Sequence, residues 1–458
     1  MDAENIGREM HRFAADLYPI CRSITGDGVR RTLSVLQESI PLRVVEVPSG
    51  TPVFDWVVPK EWNVRDAFIK TLDGRRVVDF QKHCLHLMSY SVPVHAMMPL
   101  SELKPHLFTL PEHPDWIPYR TSYYKEGWGF CLSHNQLLAL KDEKYEVCID
   151  STLEDGSLSY GECYIAGRSA EEILISCHAC HPSLANDGLS GLTVATFLAR
   201  SLAKRDLRYS YRFLFVPGTI GAITWLARNQ DNAGRIRHGL VLTCIGDSGG
   251  FHYKKSRRGN TEVDRAAAHV LSHCGEPSEI LEFSPYGYDE RQYCSPGFNL
   301  AVGCLMRSVW GTFPEYHTSG DNLDFIPPLK LAGSLGVCIS ILSVLENNRT
   351  YRSLSPYCEP QLGKRGLYRS TGGEAIAEEV NARLWVMNLC DGQHSLLDIA
   401  ERSKLGFPLI SDAAELLCRA GLLESMIEDR EANRERTPWT LEETVAEPPA
   451  PSSLSVDR

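Results

Sequence analysis

Between residues 150 and 350 the chain alternates short apolar runs with amphipathic stretches, and this alternation limits the folds open to it. The runs "EILISC", "YRFLFVPG", "GLVLTCIGD" and "NLAVGCL" read as strands. Between them lie "SGLTVATFLARSLAK", "GAITWLARNQD" and "TEVDRAAAHVLSHCG", and after them the long "LKLAGSLGVCISILSVLEN", all with helical character. Strands apolar on both faces must be covered on both faces. The pattern therefore predicts an α/β core, a mostly parallel sheet with helices on either side. In such sheets, ligands gather beyond the carboxyl ends of the strands.

Other segments flank this core (151–350). Residues 1–45 carry an amphipathic helix with Met10, Phe13, Ala14 and Leu17 on one face, then a second helix around Thr32–Ile40, as a helical part of the same domain. Residues 46–150 turn rich in Val, Tyr, Trp, Phe and Pro, broken by turns such as Asp73-Gly74, which predicts an inserted β-rich domain. Residues 361–428 hold three short helices closely connected, the spacing of a small winged-helix domain. The tail, 429–458, is charged and then rich in Pro and Ser, the composition of a disordered segment.

Charge narrows the partners. Lys and Arg number 47 against 58 Asp and Glu, a net charge of −11, which disfavours non-specific binding to nucleic acid or anionic lipid. Within 361–424, seven basic residues face nine acidic ones, so the winged helix does not read as a DNA groove binder. Docking to another protein or within the chain is the expected use, and its helix faces would suit a homodimer. The opening "MDAENIGREMHRFAADLYPI" has no apolar leader core, and no uncharged apolar run reaches about 18 residues, so neither export nor a membrane span is expected. Fifteen scattered cysteines fit a reduced, cytoplasmic chain.

The residues that carry chemistry sit where the strands end. His178, Cys180 and His181 follow "ILIS", and Asp187 comes shortly after in Asn186-Asp187-Gly188. Asp247 ends "GLVLTCIGD", and His317 lies in "PEYHTSGDNLDF". Neutral imidazoles and carboxylates are zinc ligands, and a catalytic zinc takes about three of them plus an open position. Taken singly, each has a plainer reading: a hydrogen-bonded histidine, a helix-capping aspartate, or, for Cys177-x-x-Cys180, a redox pair or half of a structural zinc site. Their shared position at one sheet edge favours a metal centre.

The motifs "CHACHPSLANDGLSG", "VPGTIGAITWL", "YDERQYCSPGFNL", "EYHTSGDNLDF" and "TSYYKEGWGFCLS" resemble the zinc aminopeptidase superfamily, which also contains glutaminyl cyclases. Within it they resemble a bacterial aminopeptidase-like branch with an inserted β-rich domain and a C-terminal winged helix, over nearly the whole chain to about residue 428. The resemblance implies one or two zinc ions, with Asp187 as bridging ligand, His317 as the late histidine and Asp247 at the second ion. In ordinary members an aspartate stands two residues after the early histidine. Counted from His178 that place holds Cys180, so His181 is the implied ligand and His178 either supports it or binds the second ion. Ordinary members also carry a Glu-Glu pair after the second strand, where this chain has Gly218 and Thr219.

Proton transfer then falls to Glu290, Glu315 or Asp321, and Asp289 or Glu290 would meet a substrate amino group. Tyr124 and Trp128 either wall a substrate pocket or pack between strands, and Arg291 either holds a substrate anion or is an ordinary exposed arginine. The implied activity is zinc-dependent hydrolysis of an amide in a small peptide or aminoacylated metabolite, in a biosynthetic pathway. Two other readings stand beside it: a zinc acyl-transfer or cyclising enzyme, and a winged-helix regulator on a relic zinc fold.

Overall fold

The computed structural model describes residues 3–367 and 377–426; the expected tail, 429–458, lies outside them. Two compact units divide the chain. Among the described residues, one takes 3–259 and 279–336, and the other takes 260–278, 337–367 and 377–426.

The first unit opens with α1 (Ala3–Leu17), which buries Ile6, Met10, Ala14 and Leu17 at helical spacing. Phe13 meets Phe197 edge-on at 5.9 Å. α2 spans Asp27–Gln37, starting earlier than the expected Thr32. Its first turn is fixed from far away: the Asn63 side-chain carbonyl accepts the Asp27 N–H at 2.7 Å, a partner no local pattern reveals.

The central sheet has eight strands: β1 (Leu42–Pro48), β2 (Ser157–Ile165), β3 (Glu172–His178), β4 (Ser210–Val216), β5 (Ile236–Leu242), β6 (Phe251–Lys254), β7 (Ser278–Leu281) and β8 (Val302–Met306). Their spatial order is β1-β2-β4-β3-β5-β8-β6-β7. The four central strands β4, β3, β5 and β8 are parallel. The pairs β1–β2, β2–β4 and β8–β6 are antiparallel, so the sheet is mixed rather than parallel throughout. Apolar periodicity reveals that a strand exists, not which way it runs. Every residue of β3 is buried, as both-face coverage requires. Helices α3 (Gly191–Leu202) and α4 (Ile220–Arg228) follow β3 and β4. From β3 the chain crosses to β4 on one side and then to β5 on the other. The carboxyl end of β3 is thus a switch point, where a crevice opens.

β1 and β2 bracket the insert, with Pro48 opposite Ser157. The insert's main sheet orders Arg76–Asp79, Glu61–Thr71, Lys144–Glu154 and Val94–Pro99, all antiparallel. The expected turn at Asp73-Gly74 is present, with Gly74 at φ 89°. Further along, the insert reaches the core: Tyr119 N–H donates to the His317 carbonyl at 2.8 Å, and Ser319 N–H donates to the Ile117 carbonyl at 2.8 Å.

The helix α5 (Pro328–Asn347) is long and apolar enough to cross a membrane by composition, although 61% of its most apolar stretch is buried. The sequence reading has this helix as "LKLAGSLGVCISILSVLEN", and its uncharged run falls short of 18 residues because Lys330 and Glu346 interrupt it near its ends.

In the second unit Thr350–Ser353 is the middle strand between Asp391–Ser395 and Leu423–Ser425. The helices are Glu378–Leu389, Leu396–Ser403 and Phe407–Arg419. Ser395 and Asp398 cap the second of them reciprocally. Helix Glu262–His273, expected in the α/β core, groups with this unit instead. Arg265 pairs with Asp398 at 2.6 Å and Glu401 at 2.5 Å, and the Phe407 N–H donates to His269 Nε2 at 3.0 Å.

That last bond requires a neutral ring. Burial, with His273 adding to it, lowers His269 from 6.5 to about 4. Between those values the unfolded chain binds a proton that the folded chain refuses, so stability is present above pH 6.5 and falls as pH drops toward 4. We expect this group to account for a loss of up to about 3 kcal/mol over that window. Melts of wild type and His269→Leu from pH 4 to 7 check it: the variant's curve should be flatter.

Candidate metal centre

Asp187 lies at a kink in the turn Ala185–Ser190, beyond the loop that follows β3, fully buried, with φ −85° and ψ 85°. Gly188 follows at φ 120°, and a Cβ there would meet His178 Nε2 at 3.3 Å. Only glycine suits that position. Gly191 is also required, since its Cβ would come within 2.4 Å of the Leu242 carbonyl on β5.

Three imidazoles surround this carboxylate. His178 Nε2 stands 3.1 Å from Oδ1, His181 Nε2 3.9 Å from Oδ2, and His317 Nε2 2.8 Å from Oδ2. His178, His181 and Asp187 bring one donor atom each within 4.8 Å of one another. His178 ends β3, His181 lies in the loop beyond it, and His317 arrives from the loop after β8. His317 holds a left-handed φ of 57°, a conformation unusual for a non-glycine residue. Its carbonyl is the one taken by Tyr119 N–H of the insert, so the insert's backbone helps hold this ring in place.

The chemistry of the donors fits a divalent cation. His178 Nε2, His317 Nε2 and Asp187 Oδ2 are buried, close together, and not aligned for hydrogen bonds with one another. Buried polar atoms normally find partners, and donor atoms 2.8 to 3.9 Å apart suit the edges of a tetrahedral site, about 3.3 Å for zinc. Although burial pushes Asp187 up, the surrounding histidines outweigh it and hold the carboxyl well below its usual range. Burial keeps His181 neutral, well below the usual histidine value. Ionised carboxylate and neutral imidazole are the forms a metal takes.

Several expected residues are engaged elsewhere. The Asp247 carboxylate accepts Asn186 Nδ2 at 2.7 Å, Gly249 N–H at 2.6 Å, Ser308 Oγ at 2.7 Å and Ser308 N–H at 3.2 Å. Glu290 is ion-paired with buried Lys254 at 2.7 Å, which removes it as a free base. Asp321 accepts the backbone N–H groups of Asn186 at 2.5 Å and Asp187 at 2.9 Å, so it clamps the turn that carries Asp187. Burial pushes it up to about 8. Tyr124 is exposed and meets Trp56 at 5.3 Å, and Trp128 stacks on His106 at 3.6 Å, so neither touches the centre. Glu315 is half-buried, two residues before His317. Arg291 follows in the short helix Glu290–Tyr293, with its Nε unpartnered.

Asp289 stands out. It is fully buried, both its oxygens lack hydrogen-bond partners, and burial raises it to about 7. A side chain at Gly218 would have its Cβ 3.7 Å from Asp289 Oδ1 and 3.1 Å from the Cβ of His178.

Aromatic residues that no local pattern marked complete the walls. Tyr288 donates to Asp187 Oδ1 at 2.5 Å and stacks on His178 at 4.7 Å. Tyr316 stacks on His317 at 4.0 Å. Tyr119 stands edge-on to His181 and His317 and shares a hydroxyl contact of 2.6 Å with Tyr123. All lie inside or beside the motifs, yet sequence does not distinguish a tyrosine aimed at a carboxylate from a packed one.

Replacing Asp321 by Ala strands two buried N–H groups beneath Asp187. We expect a loss of roughly 2–4 kcal/mol in urea unfolding.

Comparison with known proteins follows this geometry. Residues 11–348 match the family described as "Domain of unknown function (DUF4910)", and 349–425 match a winged helix-turn-helix family. A Clostridium acetobutylicum protein named "Putative polysaccharide biosynthesis protein with aminopeptidase-like domain" is 52% identical over 424 residues, 92% of this chain and 98% of its own. A crystal structure of a "putative peptidase" from Clostridium acetobutylicum superposes with TM-score 0.89 at 51% identity, over 93% of this chain and 97% of that one. BSAP, a zinc aminopeptidase from Bacillus subtilis, shares the fold at TM-score 0.53 and 12% identity, over 75% and 95% of the two chains. The chain therefore belongs to the DUF4910 family, built on the zinc aminopeptidase fold and continued by a winged helix.

Proposed function

We propose that this protein is a zinc-dependent amide hydrolase acting on a small peptide or aminoacylated metabolite in a cytoplasmic biosynthetic pathway. The observation that carries the reading is the buried, ionised Asp187 carboxylate with three imidazoles within 3.9 Å of its oxygens. His181, Asp187 and His317 would hold a zinc ion there, and it would supply Lewis acidity toward an amide carbonyl and water. The biosynthetic setting draws support from the name of the 52% identical relative.

The chain's own groups would do the rest. Ordinary aminopeptidases have their proton-transferring glutamate in the pair whose places this chain fills with Gly218 and Thr219. We assign that duty to Asp289, whose unpartnered carboxyl faces the space Gly218 leaves. A buried carboxyl raised to about 7 suits proton transfer at neutral pH. Tyr119 and Tyr316, packed on the histidines, would exclude water and fix the ring orientations.

His317→Ala should lose bound zinc and amide hydrolysis together. Full zinc occupancy in that variant would remove His317 from the ligand set. Asp289→Asn should keep its zinc and lose about 10²- to 10⁴-fold in kcat. The absence of a glutamate at Gly218 also favours a second reading, a cyclising or acyl-transfer enzyme. Product mass separates the two: water gained marks hydrolysis, water or ammonia lost marks cyclisation.

A further inference from the structure

The two oxygens of Asp187 have different surroundings, and the difference bears on how many ions the centre holds. Oδ2 faces His181 Nε2 and His317 Nε2, and it has no hydrogen-bond donor of its own. Oδ1 is already crowded by the protein. The Tyr288 hydroxyl donates to it at 2.5 Å, His178 Nε2 lies at 3.1 Å, and the Cys244 thiol lies at 3.9 Å. The His178 ring lies flat on Tyr288, 5° from parallel, and Tyr288 is braced in turn by the Tyr316 hydroxyl at 3.1 Å and by Trp310, edge-on at 5.5 Å. A bridging carboxylate gives one oxygen to each ion, so a second ion would need Oδ1.

Two of the groups that the resemblance implies for a second ion, the aspartate and the glutamate, are committed or missing, although His178 Nε2 stays unpartnered beside Oδ1. Asp247, where the resemblance implies a second-ion ligand, has its carboxylate saturated by four donors from Asn186, Gly249 and Ser308. Gly218 and Thr219 offer no carboxylate. One of the Asp247 donors, the Asn186 amide, belongs to the residue next to Asp187, so turning Asp247 toward an ion would unpair the turn that carries the bridging position.

We propose that the centre is built for one divalent ion, on the Oδ2 side of Asp187, and that the Tyr288 hydroxyl takes the second ion's place on Oδ1. Tyr288 is then a positioning residue. Its O–H fixes the carboxylate's rotation so that Oδ2 presents to His181 and His317. The inference rests on the reading of this cluster as a zinc site, but not on hydrolysis.

The test is zinc titration of the full-length, metal-stripped protein, read by plasma mass spectrometry after desalting, with cobalt absorbance as an independent count. Wild type should saturate at one ion per chain, with a single break in the cobalt titration. Tyr288→Phe keeps the ring and its stacking and should still take one ion, with affinity weakened about ten- to a hundredfold. Two tightly held ions per wild-type chain would overturn the proposal, and so would an unchanged affinity in Tyr288→Phe. If that variant does not fold, the wild-type count decides alone. One ion without any amide hydrolysis would sink the hydrolase reading and leave this one standing; two ions with hydrolysis would do the reverse.

Discussion

Burying an ionised carboxylate is costly unless charge and hydrogen bonds surround it, and Asp187 is buried and ionised. Much of the first unit's local detail answers that demand. Gly188 provides the kink, Asp321 grips the two backbone N–H groups leading into it, and Asn186 is anchored to Asp247. Histidines from the end of β3, its following loop and the loop after β8 then converge on the same two oxygens. The switch point beside β3 is where the sheet leaves room for such a cluster.

The insert helps to hold the loop that carries His317. Its segment Ile117–Tyr119 pairs with His317–Ser319 through backbone hydrogen bonds, and Ser319 Oγ accepts the Ile117 N–H at 2.9 Å. Trp116 fills the space beside Gly320, where a Cβ would come within 2.9 Å of its ring. A left-handed residue such as His317 keeps its conformation only where its surroundings determine it, and here part of the surroundings is the insert.

The α/β class was legible because apolar runs, helices and the motifs between them all point the same way. That His178, His181, Asp187 and His317 would gather was also legible, since each follows a strand and strand ends share an edge. The remainder depended on partners distant in sequence. Asp247 and Glu290 look like free carboxylates until Ser308 and Lys254 arrive from other segments. The start of α2 hangs on Asn63, and helix Glu262–His273 is claimed by Asp398, Glu401 and Phe407. Tyr288 and Tyr119 escaped notice because aromatic residues pack far more often than they serve a site.

The bond from Tyr119 to His317 closes a loop of nearly two hundred residues. Contacts so distant in sequence form late, because chain entropy must be overcome before they add stability. During synthesis the strands and helices of the core can assemble while the His317 loop is still unmade. The cluster around Asp187 is complete only once the loop after β8 has emerged and met the insert. A nascent or partly folded chain therefore has no finished centre, and the order of folding itself delays any activity until the first unit is whole.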